Sequence, residues 1–253
     1  MHFRLPKPLH GWRAFIGEVG VIVLGVLIAL GAEQAVEALH WQAKARESEE
    51  AIGRDLALTA DLASERVAIA RCNDDRLALL RSAILASGDR WNTALPASTD
   101  GLPFSHAYGV PTRLWNTQLW DSLVADGSVA HFENVRARNY ALLYHTIRLL
   151  SNDNQDEFST ESALYILGDR NIALSDDAKL GLIRIVDELR NKNRLVASTS
   201  RQILRRIQDT GHLPSLEETK RRLADPSSRA LRCRYAGTAL DDRVAKDWFT
   251  LNR

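Results

Sequence analysis

Apolar residues run almost without interruption from Ala14 to Ala35, and the segment Val19 to Ala32 contains no charged residue. A membrane-spanning helix needs roughly 20 mostly apolar residues, at about 1.5 Å each, to cross a hydrocarbon layer of about 30 Å. Phe15 to Ala35 meets that length with Glu18 and Glu33 near its two ends. Trp12 and Trp41 bracket the run at a helical separation of roughly 44 Å, about a bilayer with its headgroups. Amphipathic tryptophans favour those two interfaces. The pattern therefore predicts a transmembrane helix over residues 14–35, with Trp12 and Trp41 as interfacial anchors.

Beyond the span the period stays helical. From Glu33 to about Arg90 there is no proline, and alanine, leucine, glutamate and arginine dominate, all good helix formers. Ile52, Leu56, Leu62, Ile69, Cys72, Leu77, Leu80 and Ile84 recur at steps that fit one helical face. Residues 36–90 read as a stalk, polar from His40 to Glu50, that becomes the first bundle helix and stops at Gly88. Residues 91–111 read as a long loop punctuated by Pro96, Pro103 and Pro111. Helices are expected at Thr112 to Ala125, Asn134 to Leu150, Phe158 to Leu167, Ser175 to Gln208 and Leu216 to Ala224, and another near Asp241 to Leu251. The polar stretch Ser151 to Glu157 reads as a break. The expected fold is all-α: an N-terminal transmembrane helix continuing into a long stalk helix, then an extramembrane helical bundle over residues 112–253.

The flanks set the expected orientation. Arg4, Lys7 and Arg13 precede the span with no acid before Glu18, whereas Glu33 and Glu37 follow it. The positive-inside rule then makes residues 1–13 a short cytoplasmic lead and places the main domain across a bacterial inner membrane, in the periplasm. A cleaved secretory signal is the competing reading, because Ala29, Gly31 and Ala32 resemble a cleavage site. Glu18 inside the apolar region and the unbroken helical pattern through Val36 favour a retained anchor.

Glu18 is the costliest residue of the run, since an intramembrane acid needs a reason to be there. Near the cytoplasmic edge it can snorkel and complement the helix N-terminus. It also shares a face with Ile22, Gly25, Ala29 and Ala32, and small residues on one face let helices approach closely in lipid. That face is the candidate contact for other inner-membrane proteins or for a second copy of this chain.

Composition narrows the chemistry. A net charge of +1 and a charged fraction of 26% suit one ordinary soluble surface beside one span. No His-Glu-x-x-His, phosphate-binding glycine loop or Gly-x-Ser-x-Gly elbow occurs, so no catalytic residue, metal ligand or cofactor is assigned and the chain is not expected to be an enzyme. Asp121 with His131 is the one acid–base pair that can be drawn, and both read equally well as surface residues. Basic clusters at Arg201, Arg205 and Arg206 and at Lys220, Arg221, Arg222, Arg229, Arg232 and Arg234 are diluted by Asp209, Glu217, Glu218 and Asp225. They read as a solvated face, with lipid headgroups or an acidic protein face as the alternatives, and no nucleic acid is expected. Phe104, His106, Tyr108, Trp115 and Trp120 form a candidate pocket, or else rings that close one end of the bundle.

The segment GEVGVIVLGVLIAL, Gly17 to Leu30, followed by a charged helix, resembles the start of a broad family of uncharacterised bacterial single-pass inner-membrane proteins. LWNTQLWDSLVADGSVAHF, Leu114 to Phe132, and NYALLYHTI, Asn139 to Ile147, are similar to its later tryptophan helix, turn and tyrosine-rich helix. The resemblance implies a topology and brings no activity. The leading expectation is a membrane-anchored, non-catalytic accessory or scaffold subunit, and the alternative is a periplasmic ligand-sensing domain signalling through a membrane partner.

Cys72 and Cys233 are the only cysteines. In an oxidising compartment such a distant pair is a candidate disulfide, and buried free thiols are the alternative. If the bridge forms, thiol labelling of the denatured protein finds no reactive cysteine until reductant is added; two labelled thiols without reductant exclude it.

Overall fold

A computed structural model describes residues 12–92, 108–111, 113–169 and 171–223. Helix α1, Trp12–Ala86, runs for 75 residues without a break. No proline interrupts it, and Ser87 closes its end by donating from its hydroxyl to the Ile84 carbonyl at 2.6 Å. Residues 15–40 are exposed throughout, and this part of α1 is long and apolar enough to cross a membrane. Residues 41–86 of the same helix form one wall of an all-α bundle.

The bundle is built on α1, α3 (Asn134–Glu161) and α4 (Asp176–Asp209), with the shorter α2 (Gln118–Ala125) and α5 (Leu216–Leu223) packed on α1. Helix α3 runs parallel to α1, because Arg136, Tyr144 and Glu157 meet Glu49, Asp55 and Arg66 in the same order. Helix α4 runs antiparallel, pairing Asp187 and Arg190 with Arg81 and Asp74 and bringing His212 against Gly53. The end of the bundle nearer the apolar stretch therefore holds the start of α3 and the end of α4. At the far end β1 (Arg90–Trp91) pairs antiparallel with β2 (Ile172–Ala173), a clasp not anticipated from sequence. Asn171 enters it with φ +62°, a conformation that asparagine tolerates better than most residues.

Apolar packing falls into two clusters. The proximal one gathers Leu56, Trp120, Leu143, Tyr144, Ile147 and Ile203, with the Trp120 and Tyr144 rings stacked at 5.4 Å. The distal one gathers Leu77, Ile84, Trp91, Tyr108, Leu164 and Leu189. The Trp91 indole N–H donates to the Leu167 carbonyl at 3.0 Å, so the buried ring keeps its hydrogen bond.

Three expectations change. The expected break at Ser151 to Glu157 is helical, and α3 continues to Glu161 before a 3-10 segment at Ser162–Gly168. The tryptophan helix starts at Gln118 rather than Thr112, because the Asn116 side-chain carbonyl accepts from the Gln118 N–H at 2.8 Å and residues 113–117 stay outside any helix. The expected solvated stalk is already packed: the Trp41 ring stacks on His131 at 4.1 Å, Lys44 pairs with Asp126 at 3.0 Å, and Ser48 is buried. Helix α4 starts as expected, with the Ser175 hydroxyl accepting from the Ala178 N–H at 3.2 Å, and Gly211 follows it with φ +77°.

Leu143 is fully buried in the proximal cluster, whereas Leu149 on the same helix is about half exposed. Leu143→Ala is expected to cost about 2–5 kcal/mol and Leu149→Ala no more than about 0.5 kcal/mol, read by urea unfolding in mild detergent.

Candidate functional site

Between the two apolar clusters lies a buried polar layer. The apolar stripe of α3 (Tyr140, Leu143, Ile147, Leu150) continues at the same spacing into Asn154, Glu157 and Glu161, all of them buried. On α4 the stripe Val186, Leu189, Val196, Ile203 passes through buried Asn193, and α1 contributes Glu65, Arg66 and Asn73. These residues face inward for the same geometric reason as their apolar neighbours, and each helix supplies partners for the others.

At the centre, Arg66 Nη2 donates to Glu157 Oε2 at 2.6 Å, and both side chains are fully buried. Burial pushes the Glu157 carboxyl above its ordinary range, and Arg66 opposes the shift. Arg66 Nε and Nη1, Glu157 Oε1 and the Tyr108 hydroxyl are buried with no hydrogen-bond partner among the described residues. Burial also drives the Tyr108 phenol well above its ordinary range, with Glu157 adding to the shift, so the phenol stays protonated.

Around this pair the polar layer holds the non-helical chain that leads into α2. Asn154 Oδ1 accepts from the Arg113 N–H at 3.2 Å and the Trp115 indole N–H at 3.3 Å, and its amide donates to the Pro111 carbonyl at 3.3 Å. Glu161 accepts from the Val110 N–H at 2.7 Å. Arg113 forms two 2.7 Å bonds to Glu65, the bidentate geometry that arginine and carboxylate favour. Asn193 accepts from Asn73 and donates to the Ala70 carbonyl at 2.7 Å, which locks α4 against α1.

A cleft of about 270 Å³ opens over the layer, lined by the polar residues Asp61, Ser64, Glu65, Arg113, Thr219 and Arg222 and by Leu62 and Leu223. It is smaller than the roughly 300–1,000 Å³ usual for small-molecule sites. Its charges are already engaged within the chain, Glu65 by Arg113 and Asp61 by Arg222.

The other sequence-derived residues are spread along the molecule. Glu18, Ile22, Gly25, Ala29 and Ala32 are all exposed on α1, and a methyl group added at Gly25 would meet nothing within 4 Å. Trp12, also exposed, packs edge-on to Phe15 at 6.0 Å. Of the aromatic pocket set, Tyr108 belongs to the distal cluster and Trp115 and Trp120 to the proximal one, while Phe104 and His106 lie outside the described residues. Asp121 pairs with Arg148 at 2.6 Å and His131 stacks on Trp41, so the two take different partners. Cys72 sits half-buried beside Ile69 and Leu223, and Cys233 lies outside the described residues. Sequence reading missed the polar layer, although its signal is there: the helical stripe does not end at Leu150 but passes into polar residues.

Comparison of this chain with protein-family models, with curated proteins and with solved structures finds no match to any of them.

Removing Arg66 alone leaves a buried carboxylate without its cation. Arg66→Leu is expected to cost about 3–5 kcal/mol near neutral pH. Without the cation, the folded-state pKa of Glu157 rises further above its unfolded value, so folding takes up a proton. The variant's deficit should then shrink as pH falls toward the ordinary carboxylate value of 4.5 and grow as pH rises. Adding Glu157→Gln should abolish that dependence, read by urea unfolding across the pH range.

Proposed function

We propose that this chain is a single-pass, membrane-anchored, non-catalytic accessory or scaffold subunit of a bacterial inner-membrane assembly. Its short N-terminal lead is cytoplasmic and its bundle periplasmic. The observation that carries the reading is the continuity of α1: an exposed apolar stretch and the wall of the bundle are one helix. A partner bound to the span therefore fixes where the bundle stands.

The face made by Glu18, Ile22, Gly25, Ala29 and Ala32 is the proposed contact. Its small residues allow a second helix to approach closely, and dispersion and hydrogen bonding drive such contacts in lipid, where the hydrophobic effect does not. Glu18 supplies the polar group, most favourably placed against a donor on the partner. The small, internally paired cleft and the separation of Tyr108 from Trp115 and Trp120 favour this reading over ligand sensing.

Glu18→Leu and Gly25→Leu are expected to reduce recovery of companion membrane proteins with the tagged chain in mild detergent, while the circular dichroism and thermal transition of the bundle stay unchanged. Companion proteins recovered at wild-type levels with both variants would refute the proposed face. Recovery of a second copy of this chain alone would make the assembly a homo-oligomer.

A further inference from the structure

Among the described residues, the part of the bundle nearest the apolar stretch is the connection between α2 and α3. The chain descends through α2, turns at Gly127 with φ +80°, passes through a 3-10 turn at Ser128–His131 and climbs again as α3. Two contacts fix its height against α1: the Trp41–His131 stack at 4.1 Å with the rings within 9° of parallel, and the Lys44–Asp126 ion pair at 3.0 Å. Because α1 is unbroken, height along it can be counted. Trp41 stands six residues beyond Ala35, roughly 9 Å along the axis, and the headgroup layer is itself roughly 5–7 Å deep on each side. Side chains on a helix lean toward its N-terminus, which here is the bilayer side, so the Trp41 indole lies closer to the lipid than its backbone does.

We propose that residues 126–133, together with Trp41 and Lys44, form a foot that stands at the outer edge of the phospholipid headgroup layer with Trp41 and His131 nearest the lipid, so that the bundle stands directly on the membrane with no free stalk. The inference rests on the reading of α1 as a retained span. The chemistry of the foot suits that partner. Trp41 and His131 carry ring N–H donors that suit phosphate and carbonyl oxygens, the role that amphipathic rings fill at membrane interfaces. Of the acids at the foot, Asp126 pairs with Lys44 at 3.0 Å, while Glu133 at 3.4 Å shares Arg136 with Glu49 at 2.8 Å, so the foot meets a zwitterionic surface with a small net negative charge and no block of acids. Ala130 and His131 are exposed at its tip.

The same count excludes one of the two basic clusters as a contact for lipid headgroups. Helix α4 runs antiparallel to α1 with His212 against Gly53, which puts Arg206 level with residues near 59, roughly 36 Å beyond Ala35. Arg201, Arg205 and Arg206 are therefore out of reach of the headgroups of the bilayer that holds this span.

The test uses the wild-type full chain in phosphatidylcholine nanodiscs that carry a photoreactive diazirine either on the lipid headgroup or at the end of the acyl chain, with adducts located by peptide mass spectrometry. The acyl probe should label residues within 15–35. The headgroup probe should label Trp41 and residues 126–133, and residues 201–206 should show no more than background. Acyl labelling of the span with no headgroup labelling of residues 126–133 overturns the foot and leaves the anchor standing. Absence of acyl labelling from residues 15–35 overturns the anchor, and the foot with it.

Discussion

Everything in this molecule hangs on the uninterrupted backbone of α1. Its 75 residues contain no proline, so no hydrogen bond of the helix is lost by ring chemistry between the apolar stretch and the clasp at the far end. One element thus serves as candidate span, as the surface on which α2 and α5 pack, and as the partner of α4 along most of its length. A helix this long does not owe its unbroken course to propensity alone. Beyond residue 41 it is held by packing and by cross-links spaced along it, from Lys44 with Asp126, through Arg66 with Glu157, to Arg81 with Asp187.

The buried polar layer contributes less to stability than to definition. A desolvated ion pair such as Arg66 with Glu157 is often no more stabilising than apolar residues of the same volume, because both charges must give up water. Its geometry is nonetheless demanding. Asn154 must meet Pro111, Arg113 and Trp115 together, Glu161 must meet Val110, and Asn193 must meet both Asn73 and Ala70. A slip of α3 or α4 by one turn would strand several of these groups at once, whereas apolar stripes alone would tolerate it. We read the layer as the device that fixes the register of three long helices and seats the segment before α2.

What could be read from the sequence is what depends on local pattern. The apolar run, the absence of proline, the Ser175 cap and the glycine stops were enough for the all-α architecture and for the start of α4. The stretch 151–157 was misread because its inward residues are polar, and their partners lie on α1 and in residues 110–115, far away in the chain. Trp41 was legible as a ring near a membrane interface, but its stack on His131 joins residues 90 positions apart and has no local signature. The same holds for the Arg90–Trp91 clasp, whose strands are too short to show a period. Of the candidate site, the span face was visible as a spacing of small residues, while the polar layer showed itself only as an apolar stripe that carries on in polar residues.

The continuous helical passage from the apolar stretch to the bundle also locks an angle. An α-helix turns about 100° per residue, so the direction in which the Glu18 face points around the axis determines the direction in which the cleft over Glu65 and Arg113 points. Lengthening α1 by one residue between positions 36 and 40 would lift the bundle by only about 1.5 Å but swing it by more than a quarter turn, whereas seven residues would restore its heading to within about 20°. The bearing of this domain, more than its distance from the apolar stretch, is what the connecting turns of α1 encode.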